Sequence, residues 1–447
     1  MGIPIIRYTD ADFAAKLAAL RDKLRGGPTA IGQGGLDVRK TVAEIVGDVR
    51  SRGDQALVEW ERKLDQAELA PATLRVPADR IAAAVAAADP QFAALLPRVA
   101  DNIHRYQQSI LLAAPPPLRR GGRELAVRYT PVDRVGVYVP GGRALYPSTV
   151  LMTVVPAQVA GVKQIAICSP PTSNADVNPL VLALAGELGI TEVYRLGGAV
   201  AVAALAYGTE TIPAVDKIVG PGNAFVAEAK RQVFGAVGID SIAGPSEVLI
   251  IADDTAPADW LAADMVAQAE HNPGSAVLVT TSEKLAGAAA IAIDKQLDDP
   301  AYARSAEAKE CIEAFGAIVV VRDLPAACEA ANDFAPEHLQ IITADDQAVL
   351  AGVRNAGAIF VGPYSPVPLG DYVAGPSHVL PTGGTARFSG PLSCNDFLKA
   401  SSVIRYDKAS LAADAADVID FAAREGLTAH ARAMQIRIPK SEIRNPK

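Results

Sequence analysis

The feature that most constrains the fold of this 447-residue chain is a regular alternation of strand-like and helix-like segments after residue 134. Short apolar runs such as Val135–Val139 are each followed by a longer segment with helical periodicity, such as Ser148–Ala160. A second run of the same kind begins at Glu247. This alternation is typical of parallel sheets with crossover helices on both faces. The sequence therefore predicts an α/β fold with two parallel-sheet halves.

Two glycine-containing turns connect a predicted strand to the helix that follows it, at Pro140–Gly142 and at Gly220–Asn223. Free backbone N–H groups and the helix dipole favour a phosphate at such turns. The sequence has no G-x-G-x-x-G motif, but a dinucleotide can also bind at the carboxyl ends of parallel strands. The alternative interpretation is that these glycines only form tight turns, and the residues alone leave both open.

Composition bounds the classes of function and partner. The net charge of −8 argues against nucleic acid as the main partner, because an acidic protein repels the phosphate backbone. No apolar run is long enough to cross a bilayer and no signal-peptide pattern is present, so we expect a cytoplasmic protein without membrane partners. The four cysteines form no C-x-x-C pair, so neither a disulfide framework nor a thiolate zinc site is predicted.

A pair of polar residues, Gln268 and His271, ends a predicted apolar helix. The two are three positions apart and continue the face that carries Leu261 and Met265, so both side chains are predicted to point inward. Such a pair can form half of a metal site. It can equally be a buried glutamine beside a core histidine whose hydrogen bonds are satisfied.

Glu337 and His338 are adjacent at the start of a predicted strand. The pair offers two proton acceptors whose pKa values burial can tune, which suits general acid–base catalysis. A solvated loop pair is the alternative interpretation.

Further metal-ligand candidates lie in polar or loop-rich stretches. Asp371 shares a glycine- and proline-rich loop with His378, and His430 closely follows Glu425 near the C-terminus. Glutamine, aspartate and two histidines form an oxygen and nitrogen ligand set that suits Zn²⁺ or Mn²⁺ in an open, functional site. Together with the Glu-His pair and a dinucleotide-type sheet, this set points to a metal-assisted alcohol or aldehyde dehydrogenase.

Taken together, these stretches resemble the histidinol dehydrogenase family. The matching segments run in the family's order and cover nearly the whole chain: Arg134–Gly142, Asp216–Val233, Ala243–Val248, Gln268–His271, Ala335–Leu339, Gly370–Thr382 and Glu425–His430.

The resemblance implies oxidation of L-histidinol to L-histidine in two steps through a retained aldehyde, as the final step of histidine biosynthesis. It also implies two NAD⁺ and one zinc ion for each site. By position, the zinc ligands would be Gln268, His271, Asp371 and His430, and these residues would also contact the substrate. The substrate's imidazole and amine can coordinate zinc, which would then position the alcohol carbon.

The resemblance assigns the remaining roles as well. His338 would be the general base and would contact the substrate, and Glu337 would activate the water that adds to the aldehyde. The same motifs imply substrate contacts at Ser246 and Glu425 and NAD contacts at Tyr138 and Asn223.

The architecture implied by the resemblance is an intertwined homodimer of two incomplete Rossmann-like parallel-sheet domains with two small appendages. The C-terminal segment would reach into the neighbouring subunit's site. The implied divisions are a helical N-terminal arm (1–27), a discontinuous metal-binding and catalytic domain (28–134 and 247–392), an NAD-binding domain (135–246) and a small helical C-terminal dimerisation domain (393–447).

One position departs from the family pattern. The family usually has glutamine, an NAD contact, after Gly197-Gly198-Ala199, where this chain has Val200. The change removes a hydrogen bond worth roughly 0.5–1.5 kcal/mol, so we expect weaker or differently placed NAD but retained activity.

Three other functions stay open. A sister dehydrogenase on the same scaffold would oxidise another small alcohol such as a sulfonated diol, although Glu425 disfavours an anionic substrate. A zinc hydrolase would use Glu337 without a redox step, but the α/β run around Tyr138 and Asn223 favours a dinucleotide. A non-catalytic scaffold would retain its fold and zinc content after His271→Ala.

Overall fold

The computed structural model describes residues 2–26, 37–141, 146–172, 176–271 and 273–438. Gly27, Gly142 and Asn272, which belong to predicted turns or boundaries, lie outside the described residues. The strands are β1 (Ile5–Arg7), β2 (Leu118–Arg120), β3 (Arg123–Pro131), β4 (Arg134–Tyr138), β5 (Gln164–Ser169), β6 (Val193–Arg195), β7 (Lys217–Val219), β8 (Gly238–Ile239), β9 (Ser246–Ala252), β10 (Gly274–Thr280), β11 (Gly316–Val320), β12 (His338–Ile342), β13 (Ala358–Val361) and β14 (Leu398–Tyr406).

The α-helices are α1 (Phe13–Gly26), α2 (Val38–Arg52), α3 (Asp54–Leu64), α4 (Ala78–Ala86), α5 (Pro90–Ile110), α6 (Ser148–Ala160), α7 (Pro179–Glu187), α8 (Gly198–Tyr207), α9 (Ala224–Val233), α10 (Ala258–Ala269), α11 (Glu283–Leu297), α12 (Ser305–Phe315), α13 (Leu324–Phe334), α14 (Asp346–Gly352), α15 (Val367–Tyr372), α16 (Lys408–Arg424) and α17 (Thr428–Gln435). Short 3₁₀ turns occur at Pro71–Thr73, Thr385–Arg387 and Cys394–Phe397. None of the helices in the described ranges is long and apolar enough to cross a membrane.

Polar side chains begin several of these helices. Asn178, Asn223, Ser282 and Asp323 each accept a hydrogen bond from a backbone N–H in the first turn of the helix that follows. Such an N-cap stabilises a helix by about 1 kcal/mol. The caps therefore define where the crossover helices leave the strand ends.

The first sheet confirms the predicted strand–helix alternation. Its five strands are all parallel, in the order β6-β5-β4-β7-β8. All five residues of β4 are buried, as expected for a central strand covered on both faces. The chain moves from β4 outward to β6 and then returns to the other side at β7. This reversal places a topological switch point between β4 and β7, where ligands of open α/β sheets bind.

The second sheet has six parallel strands in the order β1-β11-β10-β9-β12-β13. Its central strand β9 pairs with β12, which brings Val248 opposite His338. The N-terminal arm contributes the edge strand β1, with Ile5 opposite Ile318, as well as helix α1. The predicted purely helical arm therefore also contains a strand.

The helices between residues 38 and 110 pack mainly beside the five-stranded sheet. Helix α2 contacts α8 and α9, α4 contacts α7, and α5 contacts α6. Ile45 and Leu57 share one buried apolar cluster with Leu205, and burying such a side chain contributes roughly 1.5–3 kcal/mol. The sequence-based division placed 28–134 with the metal-binding domain. In the structure, the helices of this range pack against α6 to α9, which flank the five-stranded sheet.

Residues 111–131 and 398–447 form a second compact unit, separate from the unit that holds both parallel sheets. Its described part contains an antiparallel sheet in the order β14-β3-β2, with Val403 opposite Ala126, followed by α16 and α17. The sequence predicted a helical C-terminal domain, so the strand β14 corrects that prediction. Its partner β3 lies far earlier in the chain, and such a non-local pairing leaves no local periodic signal.

Candidate active site

A strained turn delivers Glu337 and His338 to the start of β12. Helix α13 ends at Phe334, and Ala335 adopts a left-handed conformation (φ 51°), which is unfavourable for a non-glycine residue. Such conformations persist only where the surrounding structure enforces them, and they cluster at functional sites. Both polar side chains are 5% exposed, so the alternative of a solvated loop pair is excluded.

The backbone of one residue on the neighbouring strand orients both members of this pair. The Glu247 N–H donates to a Glu337 carboxylate oxygen (2.8 Å), and the His338 Nδ1–H donates to the Glu247 carbonyl (2.9 Å). His338 Nε2 is buried and has no hydrogen-bond partner among the residues that the structure describes. Because Nδ1 is held as a donor, Nε2 is the ring nitrogen left to exchange a proton.

His338 lies between two carboxylates. Its Nδ1 is 3.5 Å from Glu337 Oε2, and its Nε2 is 3.6 Å from Asp371 Oδ1. Burial alone lowers the pKa of His338, but the charges of Glu337 and Asp371 outweigh burial and raise it to about 9. A cation held by Asp371 would cancel one of these negative charges and lower the pKa of His338 toward that of a base active at neutral pH.

Glu337 is set up to bind a proton near neutral pH. Burial raises its pKa to about 7, while the His338 charge and the hydrogen bonds from Glu247 and Ser246 oppose that rise. Ser246, predicted to contact substrate, is therefore in hydrogen-bonding contact with a predicted catalytic residue. A carboxyl group with this pKa can take a proton from water and release it again.

The structure brings three of the four predicted metal ligands into the same unit. Gln268 is in the last turn of α10, His271 follows it, and Asp371 is in α15. Burial lowers the pKa of His271, and the nearby Asp371 charge opposes this effect, so a neutral imidazole faces an anionic carboxylate. His271 lies beyond the helix, which ends at Ala269, because Pro273 disfavours helical continuation before it.

These side chains fit a divalent cation. Gln268 is 3% exposed, and within the described part of the chain its amide nitrogen has no hydrogen-bond partner. Because amide oxygen and nitrogen are exchanged by a flip, this group can present its oxygen to a cation. Neutral imidazole, carboxylate and amide oxygen form a zinc-type ligand set. In the described ranges, no three His, Cys, Asp or Glu side chains form a metal site by themselves.

The other two predicted site residues lie in the second unit. Glu425 is the C-cap of α16 and His430 is on α17, and both are exposed. Their roles toward substrate and metal stay predictions.

The predicted NAD contacts surround the switch point of the five-stranded sheet. Tyr138 is 4% exposed, and its hydroxyl accepts a hydrogen bond from the Gly198 N–H (3.2 Å). Gly220 has a positive φ of 113°, and a Cβ there would lie 2.1 Å from the Tyr138 carbonyl oxygen. Glycine is therefore required at this turn.

Asn223 and Val200 differ in what they can offer a ligand. The Asn223 side-chain oxygen caps α9 by accepting from the Phe225 and Val226 N–H groups (3.0 and 3.2 Å). Only its amide N–H₂ is left to contact a dinucleotide. Val200 is 1% exposed and packs in the apolar core beside α2, so its side chain offers a ligand no hydrogen-bonding group.

Three contributors to the site were missed from the sequence. The backbone of Glu247 orients the predicted catalytic pair, Glu337 and His338. The Glu247 carboxylate accepts a hydrogen bond from the Gly383 N–H (2.7 Å), and burial raises the pKa of this carboxylate to about 8. His378, noted but assigned no role, contacts the Asp371 carbonyl (3.1 Å) and Thr149 Oγ1 (3.3 Å). Tyr146 contacts His271. These contacts join residues that are distant in sequence, so no local sequence pattern predicts them.

Comparisons with known proteins identify the family of the chain. The family model for histidinol dehydrogenase matches residues 32–438. The histidinol dehydrogenase of Rhodopirellula baltica is 49% identical over 440 residues, covering 96% of this chain and 95% of the relative. That of Agrobacterium fabrum is 47% identical over 434 residues, covering 97% and 98%.

A solved structure supports the same assignment. The crystal structure of histidinol dehydrogenase from Elizabethkingia anophelis matches with a TM-score of 0.89 at 31% sequence identity, covering 97% of this chain and 98% of that chain. Because the family model covers most of the chain and these relatives are close to half identical to it, the chain belongs to the histidinol dehydrogenase family.

Proposed function

We propose that this chain oxidises L-histidinol to L-histidine through L-histidinaldehyde, using NAD and zinc, as the last step of histidine biosynthesis. The observation that carries the proposal is the buried Glu337–His338 pair, held by the backbone of Glu247 and facing Asp371. The balanced reaction consumes one water and two NAD⁺ and yields two NADH and three protons. Each half-reaction therefore needs a group that accepts a proton.

The cofactors would be held by different parts of the fold. Gln268, His271 and Asp371 would bind zinc together with His430 of the partner subunit in a homodimer. Residues 135–246 would bind NAD at the switch point, and residues 28–134 and 247–392 would carry the metal-binding and catalytic domain. When bound, zinc would orient the substrate through its imidazole and amine, and NAD would accept a hydride in each oxidation.

His338 would act as the base of the first oxidation. Its Nδ1 is occupied by the Glu247 carbonyl, and its unpartnered Nε2 points toward Asp371. Nε2 would take the hydroxyl proton of the alcohol as the hydride leaves its carbon. The same nitrogen would take the proton of the hydrated aldehyde in the second oxidation.

Glu337 would activate water between the two oxidations. Its pKa of about 7 lets the carboxylate take a proton from the water that adds to the aldehyde carbonyl. The Ser246 and Glu247 hydrogen bonds fix the carboxylate in place. Glu425 would pair with the ammonium group of the substrate.

Incubation of the zinc-loaded protein with NAD⁺ and L-histidinol tests the proposal. We expect an NADH absorbance rise equal to two NADH for each histidine formed. NADH formation with a sulfonated diol but not with L-histidinol would assign the chain to a sister dehydrogenase. No NADH from either alcohol, with zinc bound, would overturn the proposal.

A further inference from the structure

The ring of Tyr146 lies parallel to that of the predicted zinc ligand His271. The ring centroids are 6.0 Å apart and the planes differ by 6°. The Tyr146 hydroxyl lies 3.4 Å from His271 Nδ1, a long hydrogen bond. Tyr146 lies two residues before α6, which belongs to the half with the five-stranded sheet, whereas His271 lies three residues before β10 of the six-stranded sheet. The contact therefore links the two halves of the larger unit at the metal site.

The same end of α6 supplies a second contact of this kind. Thr149, in the first turn of α6, has its hydroxyl 3.3 Å from His378 Nε2. The other ring nitrogen of His378 contacts the Asp371 backbone carbonyl at 3.1 Å. Two hydroxyl groups at the start of one helix, those of Tyr146 and Thr149, thus face His271 and His378. Of these two residues, Tyr146 is the one that contacts a predicted metal ligand, His271.

A histidine that binds zinc uses one ring nitrogen and needs a hydrogen on the other. The partner of that second nitrogen sets the tautomer and the orientation of the ring. With Nδ1–H donating to the Tyr146 hydroxyl, His271 Nε2 carries the free lone pair. The parallel tyrosine ring also limits rotation of the imidazole about its side-chain torsions.

We propose that Tyr146 is a positioning residue for the zinc site, acting through the tautomer and ring orientation of His271. This inference rests on the proposed function, in which His271 binds zinc. It predicts that the hydroxyl group of Tyr146 contributes to zinc affinity although it does not touch the metal.

Zinc affinity, measured by competition with a chelator, tests this role. Tyr146→Phe retains the stacked ring and removes the hydroxyl, and we expect zinc to bind about tenfold more weakly, as for the loss of other outer hydrogen bonds to metal-binding histidines. Tyr146→Ala removes both contacts and should weaken zinc further. Tyr207→Phe is the matched control, because the Tyr207 ring packs over the Arg50 guanidinium away from these contacts (5.1 Å), and its zinc affinity should equal that of the unchanged protein.

The visible spectrum of the Co²⁺-substituted protein gives a second readout that does not depend on turnover. Tyr146→Phe should shift the cobalt bands and Tyr207→Phe should not. Unchanged zinc affinity and an unchanged cobalt spectrum in Tyr146→Phe would overturn the role of Tyr146 and leave the proposed function intact. Absence of zinc binding by the unchanged protein would instead overturn the metal site of the proposed function, and the role of Tyr146 with it.

Discussion

Two buried charged clusters in the larger unit differ in how completely their polar atoms are partnered. One cluster, which we call the brace cluster, consists of Lys230, Asp240 and the backbone of Gly220. The Lys230 ammonium donates to the Gly220 carbonyl (2.6 Å) and to Asp240 (2.5 Å), and Asp240 accepts from the Gly220 N–H (2.7 Å). The other cluster consists of the predicted catalytic residues Glu337 and His338 with Asp371, and we call it the catalytic cluster. Its ring nitrogen His338 Nε2 has no hydrogen-bond partner in the described ranges.

The comparison shows how burial serves two purposes. The brace cluster satisfies its charges internally and fixes the turn at Gly220, so we interpret it as structural. Among the described residues, the catalytic cluster keeps a ring nitrogen without a hydrogen-bond partner, and the side-chain amide nitrogen of the predicted metal ligand Gln268 also has none. Buried polar atoms without partners are costly, and a substrate or metal that binds there recovers that cost. Mutations in the two clusters should therefore act on different quantities.

The largest expected effect is the loss of turnover in His338→Ala. We expect kcat for L-histidinol oxidation to fall by roughly 10²–10⁴-fold, because no group accepts the hydroxyl proton. Zinc content, measured by atomic absorption, should stay unchanged, because His338 is not a proposed ligand. Loss of zinc along with activity would mean that His338 binds the metal.

Mixing two inactive variants tests whether one site draws on two chains. His430→Ala and His338→Ala protomers should each be inactive, and their heterodimer should regain NADH formation, because one of its two sites contains both histidines. Refolding the mixture with differently tagged chains isolates the heterodimer. An inactive purified heterodimer would show that His430 serves the site of its own chain.

Breaking the brace cluster should reduce stability rather than zinc binding. Lys230→Met leaves Asp240 buried without its cation, and we expect a loss of about 3–5 kcal/mol in the free energy of unfolding. Lys309→Met is the matched control, because the Lys309 side chain is 53% exposed and its pair with Asp298 spans 3.9 Å. Such an exposed pair contributes at most about 1 kcal/mol. Equal losses in urea unfolding of the two variants would remove the distinction between the clusters.

Glu247→Gln should flatten the pH dependence of stability in the zinc-free protein. Burial raises the pKa of Glu247 from its ordinary value of 4.5 to about 8. The contribution of Glu247 to the free energy of unfolding is therefore fully present below pH 4.5 and is lost as the pH rises toward 8. Glutamine cannot ionise, so the variant should lose less stability over this window, by on the order of 1–3 kcal/mol. Parallel urea-unfolding curves for both proteins across the window would contradict this assignment.

The smallest expected effect is on the NAD side. Val200→Gln restores the amide usual in the family, and we expect NAD affinity to rise by an amount equivalent to roughly 0.5–1.5 kcal/mol. Val200→Ala is the control and should not tighten NAD binding. Calorimetric titration of NAD into each protein measures the difference, and equal affinities for all three proteins would show that position 200 does not reach the dinucleotide.

The parallel sheets were predictable because their signal is local. Each strand from β4 to β7 and the helix after it follow from apolar runs and periodicity within short windows. Glu337 and His338 were identified as candidates because they are adjacent in sequence. The resemblance then assigned roles that spacing alone left open.

Features built from distant residues were not predictable in the same way. The antiparallel pairing of β14 with β3 joins segments far apart in the chain. The periodicity of α2 shows an apolar face but not which sheet that face covers. The contact of Tyr146 with His271 exists only after the two halves of the larger unit are packed together. The contact of Glu247 with His338 exists only after β9 pairs with β12.

The central claim is that the unpartnered catalytic cluster lies beside a zinc site completed by a second chain. Anomalous diffraction at the zinc absorption edge, from crystals grown with zinc and L-histidinol, tests it most directly. We predict one peak for each subunit, bonded to Gln268, His271 and Asp371 and to His430 of the partner subunit. A zinc peak bonded to other residues, or ordered site side chains without a peak, would contradict this account.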